Sequence, residues 1–184
     1  MLDRVLDAGK KYAIEVIEDG DIAIDATVGN GHDTVFLSEL NKLKKIYGFD
    51  IQETAIETTN ENMSKVNTTT DVELILDGHE YVKEYVKESV KIAFFNLGYL
   101  PSGDKNITTL PDTTLTAIEN ICQLLEKRGR IIITVYHGHE NGKVERDALL
   151  DYVSELDQKQ FNVLQYKFIN QKNNAPFLIV IEKK

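Results

Sequence analysis

The chain is poor in several things, and each shortage removes a class of protein. One cysteine, Cys122, among 184 residues excludes a disulfide framework and a cysteine-rich zinc site. Prolines number three, Pro101, Pro111 and Pro176, and there is no low-complexity tract or internal repeat. No apolar run approaches the roughly 20 residues of a membrane span, so no membrane partner is expected. Positive charge is scarce: 21 Lys and Arg face 30 Asp and Glu, a net charge of −9. That balance argues against a general electrostatic binder of nucleic acid, which neutralises phosphates with a basic surface. A local basic patch remains open to Lys10-Lys11, Lys42, Lys44, Lys45, Lys105, Lys127-Arg128, Arg130, Lys167 and Lys172. Acidic residues throughout the first twenty positions do not read as a signal peptide. Hydrophobic residues, at 42%, suffice for a real core. The expectation is one soluble domain over 1–184, in a reducing compartment, the cytoplasm.

What is present is an alternation. Leu2, Val5, Leu6, Tyr12, Ala13, Val16 and Ile17 recur at helical spacing up to the stop at Asp19-Gly20. Ile22–Ala26 reads as a buried strand, Val35–Leu40 as a helix, Lys45–Phe49 as a strand, and Glu53–Val66 as a helix. Val72–Leu76 (strand), Glu80–Lys87 (short helix), Ile92–Leu97 (strand), Thr113–Glu126 (helix), Arg130–Tyr136 (strand) and Lys143–Leu156 (helix) continue the rhythm. The last strands, Asn162–Ile169 and Phe177–Glu182, are too close for a crossover helix and must form an antiparallel hairpin. The result is an α/β fold, a doubly wound, mostly parallel sheet with an antiparallel end.

In such sheets ligands lie beyond the carboxyl ends of the strands. After the first strand comes Asp25-Ala26-Thr27-Val28-Gly29-Asn30-Gly31-His32-Asp33-Thr34. Gly29 and Gly31 permit a tight turn close to a ligand, but Thr34 stands where a dinucleotide fingerprint has its third glycine. Asp25 suits a cationic group better than a phosphate. Asp50, in Gly48-Phe49-Asp50-Ile51-Gln52, lies 21 residues beyond Gly29, the distance at which a carboxylate accepts from ribose hydroxyls. Asp77-Gly78-His79 forms a polar turn suited to an adenine edge, and Asn96-Leu97-Gly98-Tyr99-Leu100-Pro101 leaves the fourth strand. Each of these alone reads equally as a turn or a helix cap. Jointly they describe a nucleoside-plus-cation site.

These motifs resemble the class I S-adenosylmethionine-dependent methyltransferases, with a Rossmann-like seven-stranded sheet; the likeness spans the whole chain. More narrowly, FNLGYLPSGDK, VYHGHENGKVE and FINQKNNAPFLIVIEK resemble a small bacterial group long labelled rRNA methylases. Its characterised members methylate the 5-aminomethyl group of wobble 2-thiouridine in tRNA. The resemblance implies S-adenosylmethionine as cofactor, held by Asp25, Thr27, Gly29, Asn30, Gly31, His32, Asp33, Asp50, Gln52, Asp77, Gly78, His79 and Asn96. It implies a tRNA anticodon stem-loop as partner. A homodimer would enlarge the RNA footprint.

Methyl transfer to an amine needs alignment and a lone pair cleared of its proton. Asn96 offers an amide oxygen to the amine N–H; it resembles the first position of the Asn/Asp-Pro-Pro-Tyr site of amino-methyltransferases, only in part. Tyr99 would stack on the base. Ser102-Gly103-Asp104-Lys105 reads as a cover, with Leu100 and Gly103 lining it, Asp104 meeting the aminomethyl cation and Lys105 a phosphate. His137 and His139, after Tyr136, would contact substrate or accept the proton; two His at i, i+2 without a third ligand make a poor metal site. Glu145 would orient that loop or cap its helix. In the last loop, Lys172 would meet phosphate, and Asn173 and Asn174 a base edge. Two other readings stand beside this one: the same cofactor with an rRNA base or a small amine as acceptor, and a non-catalytic nucleotide-binding module.

Overall fold

A computed structural model describes residues 1–98 and 109–184. Seven strands form one sheet: β1 (Ile22–Asp25), β2 (Lys45–Asp50), β3 (Asp71–Leu76), β4 (Val90–Leu97), β5 (Leu125–Val135), β6 (Phe161–Tyr166) and β7 (Phe177–Lys183). Their order is β3-β2-β1-β4-β5-β7-β6. The first five are mutually parallel, and β7 runs antiparallel to both β5 and β6. The expected hairpin is therefore present, with its second strand inserted against β5 and its first left at the edge.

Strand side chains alternate between two cores. On one face Ile24, Phe95, Ile131 and Ile133 pack beneath α4 (Val82–Tyr85), α5 (Pro111–Leu124) and α6 (Glu140–Ser154). On the other, Ala23, Phe94 and Ile132 meet α1 (Val5–Ile14) and α2 (His32–Glu39). The helix α3 (Glu53–Met63) lies over β2 and β3. Isoleucines 131 to 133 and the phenylalanines 49 and 95 are almost wholly buried, each stabilising the fold by about 2 kcal/mol. Arg130 fixes α1 against β5: its Nη1 donates to the Tyr12 carbonyl and to Glu15, each at 2.7 Å, while Nε donates to Glu182 at 2.7 Å.

Several boundaries differ from expectation, among them these three. The second helix starts at His32, so His32-Asp33-Thr34 form its first turn. The fifth strand starts at Leu125, directly after α5, because Val90 pairs there ahead of a bulge before Ile92. The sixth strand ends at Tyr166, its last residue paired with β7, and the chain to Ile169 leaves the ladder.

Between β1 and β4 the winding reverses direction. Chain leaving β1 turns outward to β2 and β3; chain entering β4 turns the other way to β5. Such a switch point leaves a crevice at the carboxyl ends of the strands.

Candidate active site

At that crevice the ends of β1, β2, β3 and β4 open on a cavity of about 760 Å³, within the range of small-molecule sites. Its wall includes Thr27, Gly29, Asn30, His32, Asp33, Asp50, Gln52, Asp77, Gly78, His79, Asn96 and Tyr136. Twelve residues expected at the site are thus brought together.

The β1–α2 loop is held from two sides. Gly29 and Gly31 both take positive φ, +54° and +84°. A side chain on Gly31 would come within 2.7 Å of Thr59, so only glycine fits. On the outside, α3 grips the loop: Thr59 donates to the Gly29 carbonyl at 3.2 Å and Asn62 to the Asn30 carbonyl at 3.0 Å. On the inside, Asp50 accepts from the Gly29 and Gln52 N–H groups, each at 2.9 Å. A carboxylate has about four acceptor positions, so Asp50 retains capacity for two hydroxyls.

Asp25 occupies a different place. It is fully buried behind the loop and does not line the cavity. Its oxygens accept from the Thr34 hydroxyl at 2.6 Å and from the Thr27 N–H at 3.3 Å. Burial, then the neighbouring Asp33, pushes its pKa up to about 7. Asp25 shapes the loop and its field instead of touching a ligand. Gly31 likewise stands outside the cavity wall.

At the third strand's end, Asp77 accepts from the Gly78 N–H at 2.8 Å and from the Tyr85 hydroxyl at 2.6 Å. His79 Nδ1–H donates to the Ala26 carbonyl at 2.9 Å. Burial lowers the pKa of that ring, so it stays neutral with Nε2 as its acceptor.

Asn96 is anchored at both ends. Its backbone N–H donates to Thr27 Oγ1 at 2.7 Å, and its side-chain Nδ2 donates to Asp33 Oδ2 at 2.6 Å. Burial raises the pKa of Asp33, partly offset by this bond from Asn96. Two residues on, Gly98 has φ +74°, and a Cβ there would sit 2.2 Å from the Tyr136 carbonyl oxygen. The exits of β4 and β5 therefore run in backbone contact. Tyr99, Leu100, Gly103, Asp104 and Lys105 lie outside the described residues.

The remaining expected residues do not join the cavity. His137 is buried and its two nitrogens are committed. Arg146 Nη1 donates to Nδ1 at 2.9 Å, so the proton is on Nε2, which donates to the Ala175 carbonyl at 2.9 Å. The ring packs edge-on against Phe177 at 5.4 Å. His137 ties α6 to the β6–β7 loop, with both ring nitrogens engaged there. His139 is the exposed residue preceding α6. Lys172, Asn173 and Asn174 are exposed and line no part of the cavity. Asn173 and Asn174 take φ of 61° and 53°, which asparagine tolerates better than most residues, so the turn itself accounts for both amides. Glu145 orients the start of α5 and not the loop after Tyr136: buried, it accepts from Thr109 at 2.7 Å and Thr114 at 2.8 Å, and burial raises its pKa.

Sequence reasoning missed the parts of the wall that packing alone delivers. Leu6 and Lys10 enter from α1, Thr54 and Thr58 from α3, and Thr109, Leu110 and Thr113 from the start of α5. The only available signal was the apolar stripe of α1, which contains Leu6. Among the described residues, four acids line the cavity (Asp33, Asp50, Asp77 and Glu80), against one lysine, Lys10. Such a wall favours a cation with hydroxyl groups over a pyrophosphate.

The family described as "Putative rRNA methylase" matches residues 46–182. The chain is 34% identical over 181 residues to "tRNA (mnm(5)s(2)U34)-methyltransferase, chloroplastic" of Arabidopsis thaliana, covering 92% of this chain. It spans 66% of that relative's length. Among solved structures, a "putative methyltransferase" from Streptococcus mutans in complex with SAH shares 47% identity and a TM-score of 0.93, with both chains covered in full. A "putative rRNA-methylase" from Clostridium thermocellum shares 39% identity and a TM-score of 0.96, again over 100% of each chain.

Proposed function

The chain belongs to the family described as "Putative rRNA methylase", and from that premise we propose that it methylates the 5-aminomethyl nitrogen of wobble 2-thiouridine in tRNA, giving 5-methylaminomethyl-2-thiouridine, with S-adenosylmethionine as methyl donor. Its sheet, with the antiparallel closing pair, has the class I methyltransferase fold. The observation that carries the reading is the β4 exit. Asn96 lines the cavity with its amide N–H committed to Asp33, so it offers an incoming group its carbonyl oxygen. A carbonyl holds an amine N–H without adding charge to it. The name of the A. thaliana relative supports this acceptor.

The residues fit the donor. The cavity is large enough, its wall is acidic, and Asp50 has acceptor capacity for a ribose diol. Asp77 and His79 stand at the third strand end, where an adenine edge would be read. Lys10 and Asp33, of opposite charge and close enough for the lysine to lower the pKa of the aspartate, suit a zwitterionic amino-acid end. When bound, S-adenosylmethionine supplies a methyl group on a cationic sulfur, open to in-line displacement. The chain's own part is alignment and exclusion of water. Asn96 holds the amine, the Gly98 turn sets where that amide stands, and Tyr136 closes the wall beside it.

The RNA partner in this reading is the anticodon stem-loop, whose wobble base is unpaired and open to a pocket. An acidic chain of this size gains footprint as a homodimer. The exposed edge strand β6, with Val163 39% and Leu164 43% accessible, supports a second copy there. The compartment proposed with this reading is the cytoplasm, where tRNA is at hand. The test is RNA from cells lacking the protein, digested to nucleosides and weighed by mass spectrometry. Loss of 5-methylaminomethyl-2-thiouridine with accumulation of its 5-aminomethyl precursor is expected. Unchanged tRNA nucleosides, or a change confined to rRNA, overturns the proposal.

A further inference from the structure

The amide of Asn96 raises a question that fold alone does not answer. An asparagine side chain can turn over about its last bond, exchanging oxygen and nitrogen in nearly the same space. In one orientation it presents a carbonyl to the cavity and accepts from an amine. In the other it presents N–H donors, which would oppose the amine's own hydrogens and meet its lone pair, the pair the reaction needs.

We propose that Asp33 is the positioning residue that fixes this choice, and so makes the site selective for an N–H-bearing acceptor. This rests on the amine-methyltransferase reading above. Asp33 Oδ2 lies 2.6 Å from Asn96 Nδ2. A carboxylate only accepts, so it tolerates the nitrogen at that distance and repels the oxygen. The backbone half of Asn96 is separately pinned by Thr27, whose Oγ1 takes the Asn96 N–H at 2.7 Å. Thr27 in turn donates its N–H to the buried Asp25, and Asp25 accepts from Thr34, one residue after Asp33. Among the described residues, position is thus set by the Thr27 anchor and orientation by Asp33. Asp33 is itself held in the first turn of α2 and half-buried in the cavity wall. Its carboxylate meets the side chain of the acceptor-holding residue without needing to reach the acceptor.

The test compares Asp33→Ala, Asp33→Asn and the exchange pair Asp33→Asn with Asn96→Asp. Each is assayed for methyl transfer to tRNA carrying 5-aminomethyl-2-thiouridine, for S-adenosylhomocysteine binding by calorimetry, and for thermal midpoint. Asp33→Ala should lower kcat about 10- to 100-fold, the range of a lost charge-assisted hydrogen bond, with KM for tRNA within about twofold and the S-adenosylhomocysteine Kd raised only several-fold, the share of Asp33 that faces the donor's amino-acid end. Asp33→Asn should recover part of kcat, because its amide oxygen can still accept from Asn96. The exchange pair should regain the thermal midpoint, since an amide again faces a carboxylate, yet stay slow because the cavity now meets a carboxylate. Full turnover in the exchange pair, or a Kd raised more than tenfold in Asp33→Ala with kcat unchanged, overturns the assignment of Asp33. Absence of transfer by the parent chain on the same tRNA instead defeats the functional reading beneath it.

Discussion

Replacing Asp25 by asparagine should stabilise this protein, and by more in alkali than in acid. The carboxyl group is fully buried and its pKa stands near 7, against 3.8 for an ordinary aspartate. Between those values the folded chain holds a proton that the unfolded chain has released, so stability falls as pH rises. The full interval, about three pH units, is worth about 4 kcal/mol at 1.36 kcal/mol per unit. Some of that is already spent at pH 5, which leaves about 2–3 kcal/mol lost between pH 5 and pH 8. Asparagine keeps the geometry without the charge. Its oxygen can accept from the Thr27 N–H, and its NH₂ can donate to Thr34 Oγ1, which then acts as acceptor. Melting curves of parent and variant at both pH values give a double difference in which titrating groups that do not interact with Asp25 cancel; what remains belongs to Asp25 together with its neighbour Asp33. For a chain of 184 residues the variant's advantage should grow by about 5–10 °C from pH 5 to pH 8. An advantage equal at both pH values, or a variant less stable at pH 8, refutes the burial argument for this carboxylate.

Asp25 also marks the limit of what the sequence discloses. Strand periodicity places it at the end of β1, and the structure agrees. Whether such a carboxylate faces the cavity or is consumed behind it depends on Thr34, nine residues later, whose hydroxyl takes one oxygen. Asp50 stood at the same level of evidence and does enter the cavity, because the Gly29 turn swings back to meet it. The alternation of strands and helices was readable because each buried strand is a short apolar run bounded by polar turns. The closing hairpin followed from loop length alone. Strand starts were less readable: β5 begins inside Leu125-Glu126-Lys127-Arg128, which has no strand pattern and pairs only because β4 lies beside it. The place of His137 away from the cavity was unreadable for the same reason. Its partners, Arg146 and Ala175, are 9 and 38 residues away and become neighbours only when β7 inserts against β5.

Two further substitutions separate architecture from chemistry. Gly98→Ala places a methyl group 2.2 Å from the Tyr136 carbonyl oxygen at φ +74°. Neither backbone can yield alone, so a loss of about 2–4 kcal/mol in urea unfolding is expected, with methyl transfer abolished; a stability change below about 1 kcal/mol would show that the β4 and β5 exits are not in contact. His137→Ala removes the hydrogen bonds to Arg146 and Ala175 and the contact with Phe177, which should cost about 2–3 kcal/mol of stability. The folded variant should nevertheless keep its kcat within about threefold and the pH profile of the parent chain. A proton acceptor behaves otherwise: its removal costs about 100-fold or more and erases the limb of the profile that it governs. A ring whose Nε2–H points at the Ala175 carbonyl and whose Nδ1 receives Arg146 has no lone pair left for an amine proton. A large fall in kcat with little loss of stability would mean that the clamp opens during turnover and that His137 leaves its partners to act on the substrate.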